Sequence, residues 1–179
     1  MQKLVATVPV KFLPKKGNTS ASKGPVKVYD FLYLGSRSDA RNSAKLKQLG
    51  ITAIVDCAPE YKTIEEKVRQ CNKLIEHKSN SINTLKLDLH DDERVIFQFR
   101  EAAEQAIAFI DEQQDNKQKV LVCCHLGTSR AAGIVLAYMM RKQDISYELA
   151  LGQLRNLCDG TDQVILPNRF IEALLSMWE

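Results

Sequence analysis

The spacing of apolar residues along the chain predicts several β-strands. In NTLKLDL, Leu85, Leu87 and Leu89 recur at every second position, which is the period of a strand with one buried face. ITAIVD and KVLVC are compact runs rich in apolar and β-branched residues, as expected of buried strands. VYDFLYLG stops at Gly35 and predicts a short strand pair at a sheet edge.

Longer segments follow the helical period. Apolar residues between Val95 and Ile110 recur at helical spacing and mark one face of a long helix. AAGIVLAYMM, residues 131–140, is apolar on nearly every side, which is typical of a central buried helix. Ser146 and Asn168 are expected to cap the two helices that follow. Further helices are predicted to begin near Ser43 and Thr63.

Strands that alternate with helices predict an α/β domain, with a central, mostly parallel β-sheet flanked by helices. Residues 1–26 carry Pro, Gly, Ser and Lys without a sustained apolar period, so we expect a flexible N-terminal segment. Residues 27–179 are then expected to form one domain.

Composition narrows the class of protein. The 179 residues are 45% hydrophobic and 26% charged, with a net charge of only +3, so no nucleic-acid partner is expected. Five cysteines at irregular spacing argue against a secreted disulfide framework. The longest apolar run is about half the ~20 residues that a membrane span needs. We therefore expect a cytoplasmic protein without a membrane span, with the nucleus as the alternative compartment.

The stretch VCCHLGTSRA carries the candidate chemistry. It places a strand end, Cys124, five residues, Arg130 and a helix start in succession. A loop between a strand and a helix N-terminus can turn its backbone N–H groups inward and form a concave site for an oxyanion. Gly127 allows close approach of the backbone, and the Arg130 guanidinium can bind two phosphate oxygens at once.

These groups favour the thiolate of Cys124 over the thiol, so Cys124 is the predicted nucleophile. Arg130 and the backbone amides of the loop are predicted to bind the phosphate oxygens. The residues that supply those amides are His125, Leu126, Gly127, Thr128, Ser129 and Arg130.

From these motifs the sequence resembles the cysteine-dependent dual-specificity protein phosphatases, within the protein tyrosine phosphatase superfamily, and most of all their small, atypical members. The resemblance covers about residues 28–178 and includes FLYLGSRSDA, KLKQLGITAIVDCAPE, LDLHDDE, the cysteine loop, AYMMRK and LPNRF. The family usually has His before the cysteine and Ser or Thr after the arginine. Here Cys123 and Ala131 occupy those positions, and the resemblance implies slower turnover as a result.

The resemblance implies hydrolysis of phosphotyrosine, and of phosphoserine or phosphothreonine, in phosphoproteins through a phosphocysteine intermediate. It implies no metal and no organic cofactor. The general acid falls on Asp91, with Asp92 as the alternative, although the HDDE run could also be a solvated acidic turn at a helix start. Two other functions stay open: a pseudophosphatase that binds phosphoproteins without efficient turnover, and a phosphatase for lipid, RNA or sugar phosphates.

Two other cysteines of the chain are candidates for a disulfide with Cys124. Cys57 follows a strand predicted to run near the cysteine loop, so Cys57 or Cys123 could trap an oxidised Cys124 as a disulfide. Inert burial is the alternative for Cys57.

Overall fold

The computed structural model describes residues 24–58, 82–87, 89, 95–158 and 164–177. The strands of this part are β1 (Val26–Lys27), β2 (Leu32–Ser36), β3 (Ile51–Asp56), β4 (Asn83–Lys86) and β5 (Lys119–Cys124). The helices are α1 (Arg37–Arg41), α2 (Ser43–Leu49), α3 (Val95–Asp115), α4 (Arg130–Gln143), α5 (Tyr147–Leu157) and α6 (Asn168–Leu175). The α/β class is confirmed, whereas the helix predicted from Thr63 lies outside the described residues.

The five strands form one sheet in the order β1-β2-β5-β3-β4. β1 is antiparallel to β2, and every other neighbouring pair is parallel, so the mostly parallel sheet is confirmed. The strand pair predicted at a sheet edge is present as β1 and β2, with β1 as the outermost strand, although β1 lies just before VYDFLYLG. β2 pairs with β1 on one side and with β5 on the other, and all five of its residues are buried.

The larger hydrophobic core lies on the face of the sheet that is covered by α3, α4, α5 and α6, which we call the thick face. Val120, Val122 and Cys124 of β5 point into it. Residues 131–140 of α4 are all buried, as their apolar pattern predicts. Phe99 of α3 and Phe170 of α6 pack with ring centroids 5.1 Å apart.

The opposite face, which we call the thin face, is covered by α1 and α2. Leu121 and Cys123 of β5 point into its small core, together with Leu46 of α2 and three further residues, Tyr33, Ile51 and Ile54. Alternate residues of one strand therefore reach different cores, as the period of a strand requires.

Helix boundaries agree with sequence signals at some positions and not at others. Leu149 N donates to Ser146 Oγ, which confirms Ser146 as the cap of α5. Asn168 was expected to cap the last helix, and this is wrong. The capping position is Pro167, whose carbonyl already accepts from Phe170 N at 2.9 Å, so Asn168 is the first helical residue. Among the described residues, no helix is long and apolar enough to cross a membrane.

Candidate active site

The cysteine loop joins the end of β5 to the start of α4. Cys124 is the last residue of the strand and is only 3% exposed, and Arg130 is the first residue of the helix. The loop therefore lies at the carboxyl end of a central parallel strand, the usual position of ligand sites in open α/β sheets. The predicted order of strand, loop and helix is confirmed.

Gly127 gives the loop its sharp turn. Its φ of +83° lies in the left-handed region, and a Cβ added there would lie 2.7 Å from the Gly35 carbonyl oxygen of β2. Only glycine fits without displacing that backbone. Gly127 N donates to the Cys124 sulfur at 3.2 Å, so one amide of the loop already faces the nucleophile. A hydrogen bond of this kind stabilises a thiolate.

Arg130 is fixed from the other side of the loop. One of its terminal nitrogens, Nη1, donates to the carbonyl oxygen of Leu89 at 3.1 Å. Leu89 is 1% exposed, so the acceptor belongs to a well-packed segment. A guanidinium group has five N–H donors, so this contact still leaves donors for an oxyanion.

The remaining loop residues form the rim and the connection to α6. His125 is exposed, and Leu126 is 71% exposed. The Thr128 carbonyl accepts from Ile165 N at 3.0 Å, which ties the loop to the segment before α6. Ser129 makes no capping hydrogen bond, and its buried Oγ has no partner among the described residues.

Two further thiols, those of Cys123 and Cys57, lie close to the loop. Burial raises the pKa of Cys123 to about 12, and the negative charge of Asp56 adds to the effect. Burial also raises the pKa of Cys57 well above its ordinary value. Both groups are therefore protonated at neutral pH, and a protonated thiol is a poor nucleophile. Cys57 N donates to the Cys123 carbonyl at 2.8 Å, so these two residues also share backbone contact.

The predicted acids Asp91 and Asp92 lie outside the described residues. Leu89 is the last described residue before them, and its carbonyl is bound to Arg130. Within the described part of the chain, no three His, Cys, Asp or Glu side chains converge on a common point where a metal ion could bind.

Sequence reasoning missed several groups that shape the loop from outside. The Gly35 carbonyl supports Gly127, and Arg37 N donates to the His125 carbonyl at 3.4 Å. Gly35 could have been noticed from the sequence, because it ends the apolar run VYDFLYLG. Nothing in the sequence indicates that Leu89 supplies the carbonyl that Arg130 binds.

A thiol whose sulfur accepts from a loop amide, with an arginine at the following helix start, is an arrangement suited to binding an oxyanion. Residues 32–179 match the family model "Dual specificity phosphatase, catalytic domain". The chain therefore belongs to the dual specificity phosphatase family, and the family and fold predicted from the sequence are confirmed.

Curated relatives agree with this assignment. Dual specificity protein phosphatase 4 of Homo sapiens is 36% identical over 129 residues, which cover 71% of this chain and 28% of that protein. Protein-tyrosine-phosphatase IBR5 of Arabidopsis thaliana is 32% identical and is matched over 64% of this chain and 36% of its own. The chain thus spans about a third of the length of these relatives.

Among solved structures, DUSP15 has a TM-score of 0.66 at 24% identity, with 87% of each chain covered. A leucine rich repeat and phosphatase domain containing protein from Entamoeba histolytica has a TM-score of 0.67 at 22% identity, with 86% and 90% covered. These two likenesses support the fold.

Proposed function

We propose that this chain is a protein phosphatase that hydrolyses phosphotyrosine, and phosphoserine or phosphothreonine, through a phosphocysteine intermediate. The observation that carries the proposal is the contact between Gly127 N and the Cys124 sulfur, in a loop that ends at Arg130. This arrangement supports a nucleophile below the phosphorus atom and hydrogen-bond donors around its oxygens.

In the first step the Cys124 thiolate attacks phosphorus. A P–S bond forms while the P–O bond to the substrate side chain breaks. Arg130 and the amides of the loop bind the three remaining phosphate oxygens, where negative charge is carried through the transition state. The leaving oxygen must receive a proton, because an alkoxide or phenolate is a poor leaving group at neutral pH.

We assign the proton donor to Asp91, with Asp92 as the alternative. Two residues of extended chain span at most about 7 Å, so the backbone of Asp91 can lie no further than that from Leu89. The Leu89 carbonyl is bound to Arg130, and this short covalent reach from Leu89 supports an acid from the HDDE run. In the second step the same carboxylate takes a proton from water, which attacks phosphorus and releases the Cys124 thiolate.

The decisive test is turnover of phosphotyrosine and phosphothreonine peptides, with Cys124→Ser as the matched variant. Cys124→Ser should abolish turnover and keep phosphopeptide binding, because the amide loop and Arg130 survive the change. Arg130→Lys should lose turnover as well, since a single ammonium group cannot make the two-pronged contact. Full turnover by Cys124→Ser would remove the phosphocysteine mechanism.

Asp91→Asn should slow hydrolysis of a phenyl phosphate by about 10² to 10⁴, the range for a positioned general acid. Asp92→Asn is its control. If Asp92→Asn shows this loss and Asp91→Asn does not, the acid is Asp92.

Two observations favour a second candidate, a pseudophosphatase that binds phosphoproteins without efficient turnover. Cys123 stands where the family usually has histidine, and Ala131 stands where it usually has a hydroxyl. Phosphopeptide binding by the unmodified chain, without release of phosphate, would select this candidate.

Hydrolysis of phosphoinositides, measured in the same assay, distinguishes a lipid phosphatase from a protein phosphatase. PTPMT1, whose structure has also been solved with PI(5)P, shares the fold at 16% identity in that complex. The loop residues between Cys124 and Arg130 contain no lysine, which favours proteins over polyanionic lipid headgroups. Faster hydrolysis of phosphoinositides than of phosphopeptides would reverse this order.

A further inference from the structure

A groove of about 570 Å³ lies beside the cysteine loop on the side of α1. It shares two residues with the loop, His125 and Leu126, and its other side is formed by the end of β2 and by α1. The residues of that other side are Ser36, Arg37, Ser38, Arg41 and Asn42.

Two arginines line the groove, together with polar side chains such as Ser38, Asn42 and His125. Arg37 and Arg41 are four residues apart, so they lie on the same face of α1. The residues that line the groove contain no carboxylate. The acidic residue of α1, Asp39, is buried, and its Oδ2 accepts from Ser36 N at 2.8 Å and from Ser36 Oγ at 2.6 Å. Its carboxylate therefore already accepts two hydrogen bonds from Ser36.

The two arginines of the groove differ in the contacts that their side chains make. Arg37 Nη2 lies 3.4 Å from Asp56 Oδ2 and 3.4 Å from the Ala58 carbonyl, so its side chain is held and its charge is partly balanced. Arg41 is exposed and forms no ion pair with any described residue. An anion in the groove would thus meet one positioned guanidinium and one whose charge is not compensated.

The position of the groove connects it to the substrate of the neighbouring loop. Arg37 N donates to the His125 carbonyl, and His125 directly follows the nucleophile. Leu126 stands 71% exposed between loop and groove and offers an apolar wall to the stem of a peptide side chain. A peptide whose phosphorylated residue enters the loop can therefore place a nearby side chain in the groove.

We propose that this groove is a second anion subsite, which binds an acidic side chain close to the phosphorylated residue of a protein substrate. Its occupant is a carboxylate or a second phosphoryl group on the same peptide, and Arg41 is the residue that determines the preference. The proposal rests on the proposed function, because it takes a phosphopeptide as the ligand of the cysteine loop.

The experiment measures binding of labelled phosphotyrosine peptides to Cys124→Ser protein by fluorescence anisotropy. Aspartate, phosphoserine or alanine is placed in turn at each of the three positions on either side of phosphotyrosine. At one or two positions, aspartate or phosphoserine should lower Kd about five- to tenfold relative to alanine, as expected of charge-assisted contacts in a half-open groove. Whether aspartate or phosphoserine gives the larger change identifies the source of the anion.

Arg41→Gln, made in the same Cys124→Ser background, should bring the ratio of the two Kd values close to one. Arg141→Gln is the matched control, because Arg141 is also an exposed arginine in the last turn of a helix but lies at the far end of α4. Arg41→Lys should keep part of the preference, since it keeps the charge without the planar fork. Raising the salt concentration should lower the preference in the parent protein.

The proposal is overturned if no position shows an acidic preference, or if the preference survives Arg41→Gln in a protein with an unchanged melting temperature. An equal loss in Arg141→Gln would also overturn it, because the effect would then come from net charge. Absence of binding to every phosphopeptide, alanine series included, would instead refute the proposed function, and the subsite would fall with it.

Discussion

The two faces of the sheet are covered very differently, and the cysteine loop contacts both. On the thick face four helices enclose a large core, into which Cys124 and Ala131 point. On the thin face, within the part of the chain that the structure describes, two helices of five and seven residues cover six buried side chains, Cys123 among them. Adjacent residues of β5, Cys123 and Cys124, therefore belong to different cores.

We expect the thick face to contribute most to the stability of the fold, and the thin face to contribute most to the shape of the binding site. On the thick face α4 is buried along residues 131–140 behind the loop, and Gly133 N donates to the Ser129 carbonyl at 2.8 Å. The thin face supplies the supports that lie in front of the loop, which are the Gly35 carbonyl and α1 with its two arginines. Substitutions in the two cores should consequently have distinct effects.

The largest effect on stability is expected from the thick face. Phe170→Ala should lower the free energy of unfolding by about 3–5 kcal/mol, because it removes a fully buried ring that packs on Phe99. Leu46→Ala on the thin face should cost about 2 kcal/mol, since a short surface helix can relax around the lost side chain. Urea unfolding of both variants measures the difference, and equal losses would show that the two cores are equally rigid.

The next largest effect concerns the point where the loop meets β2. Gly127→Ala should lower kcat/KM about 10²- to 10³-fold, the usual cost of losing one oxyanion donor, because a Cβ there would collide with the Gly35 carbonyl. Gly152→Ala is the control. Gly152 lies inside α5 with nothing within 4 Å of an added Cβ, so this change should keep activity and stabilise the helix by about 0.5–1 kcal/mol. Full activity of Gly127→Ala would show that the loop does not depend on this contact.

A third prediction uses the buried thiols. The folded-state pKa of Cys123 is raised from 9.0 to about 12, so the unfolded chain loses this proton first as pH rises. The stabilising contribution of the neutral thiol is complete below pH 9 and is lost as pH rises toward 12. Each such thiol should lower the free energy of unfolding by about 1.4 kcal/mol per pH unit in that window.

Urea unfolding between pH 8 and pH 10.5 tests this slope, with Cys123→Ala compared against the unmodified chain. The variant should have a shallower slope, because Cys57 alone then contributes among the two shifted thiols. Identical slopes would mean that the Cys123 thiol is ionised as easily in the folded chain as in the unfolded one.

The smallest effect is expected from a substitution of Ala131, which points into the core of the thick face and stands where the family usually has Ser or Thr. Without a hydroxyl to stabilise the departing sulfur, breakdown of the phosphocysteine should be slower than its formation. Rapid mixing with an activated aryl phosphate should then show a burst of phenol. Ala131→Ser should raise the steady rate about two- to tenfold, the worth of one hydrogen bond. A chain with no burst, and with the same steady rate in Ala131→Ser, would show that another group already fills this role.

The sequence was sufficient to predict the features that depend on local spacing. The alternation of Leu85, Leu87 and Leu89, which pack on one core although β4 ends at Lys86, concerns neighbouring residues. So do the buried run of α4 and the succession of Cys124, Gly127 and Arg130. Their outcome in the structure follows from the strand and helix periods alone.

Features that depend on distant pairing could not be predicted. The pairing of β2 with β5 is one such feature, because β5 lies far along the chain. α1 has only five residues and no apolar period, although Ser36 and Asp39 form a capping box at its start. The Arg130 contact was invisible because a backbone carbonyl, such as that of Leu89, has no sequence signature.

The insertion of β5 between β2 and β3 also determines the order in which the site can be assembled during synthesis. Leu32 of β2 pairs with Val120 of β5, about 90 residues later in the chain. At ribosomal speeds of about 5–20 residues per second, β2 waits roughly 4–20 s for its parallel partner. During that interval the apolar side chains of β2 are exposed. The Gly35 carbonyl also has no contact with Gly127, because the cysteine loop has not yet been synthesised. Slow, non-local pairing of this kind raises the folding barrier, so the nascent chain is most prone to aggregate before β5 emerges.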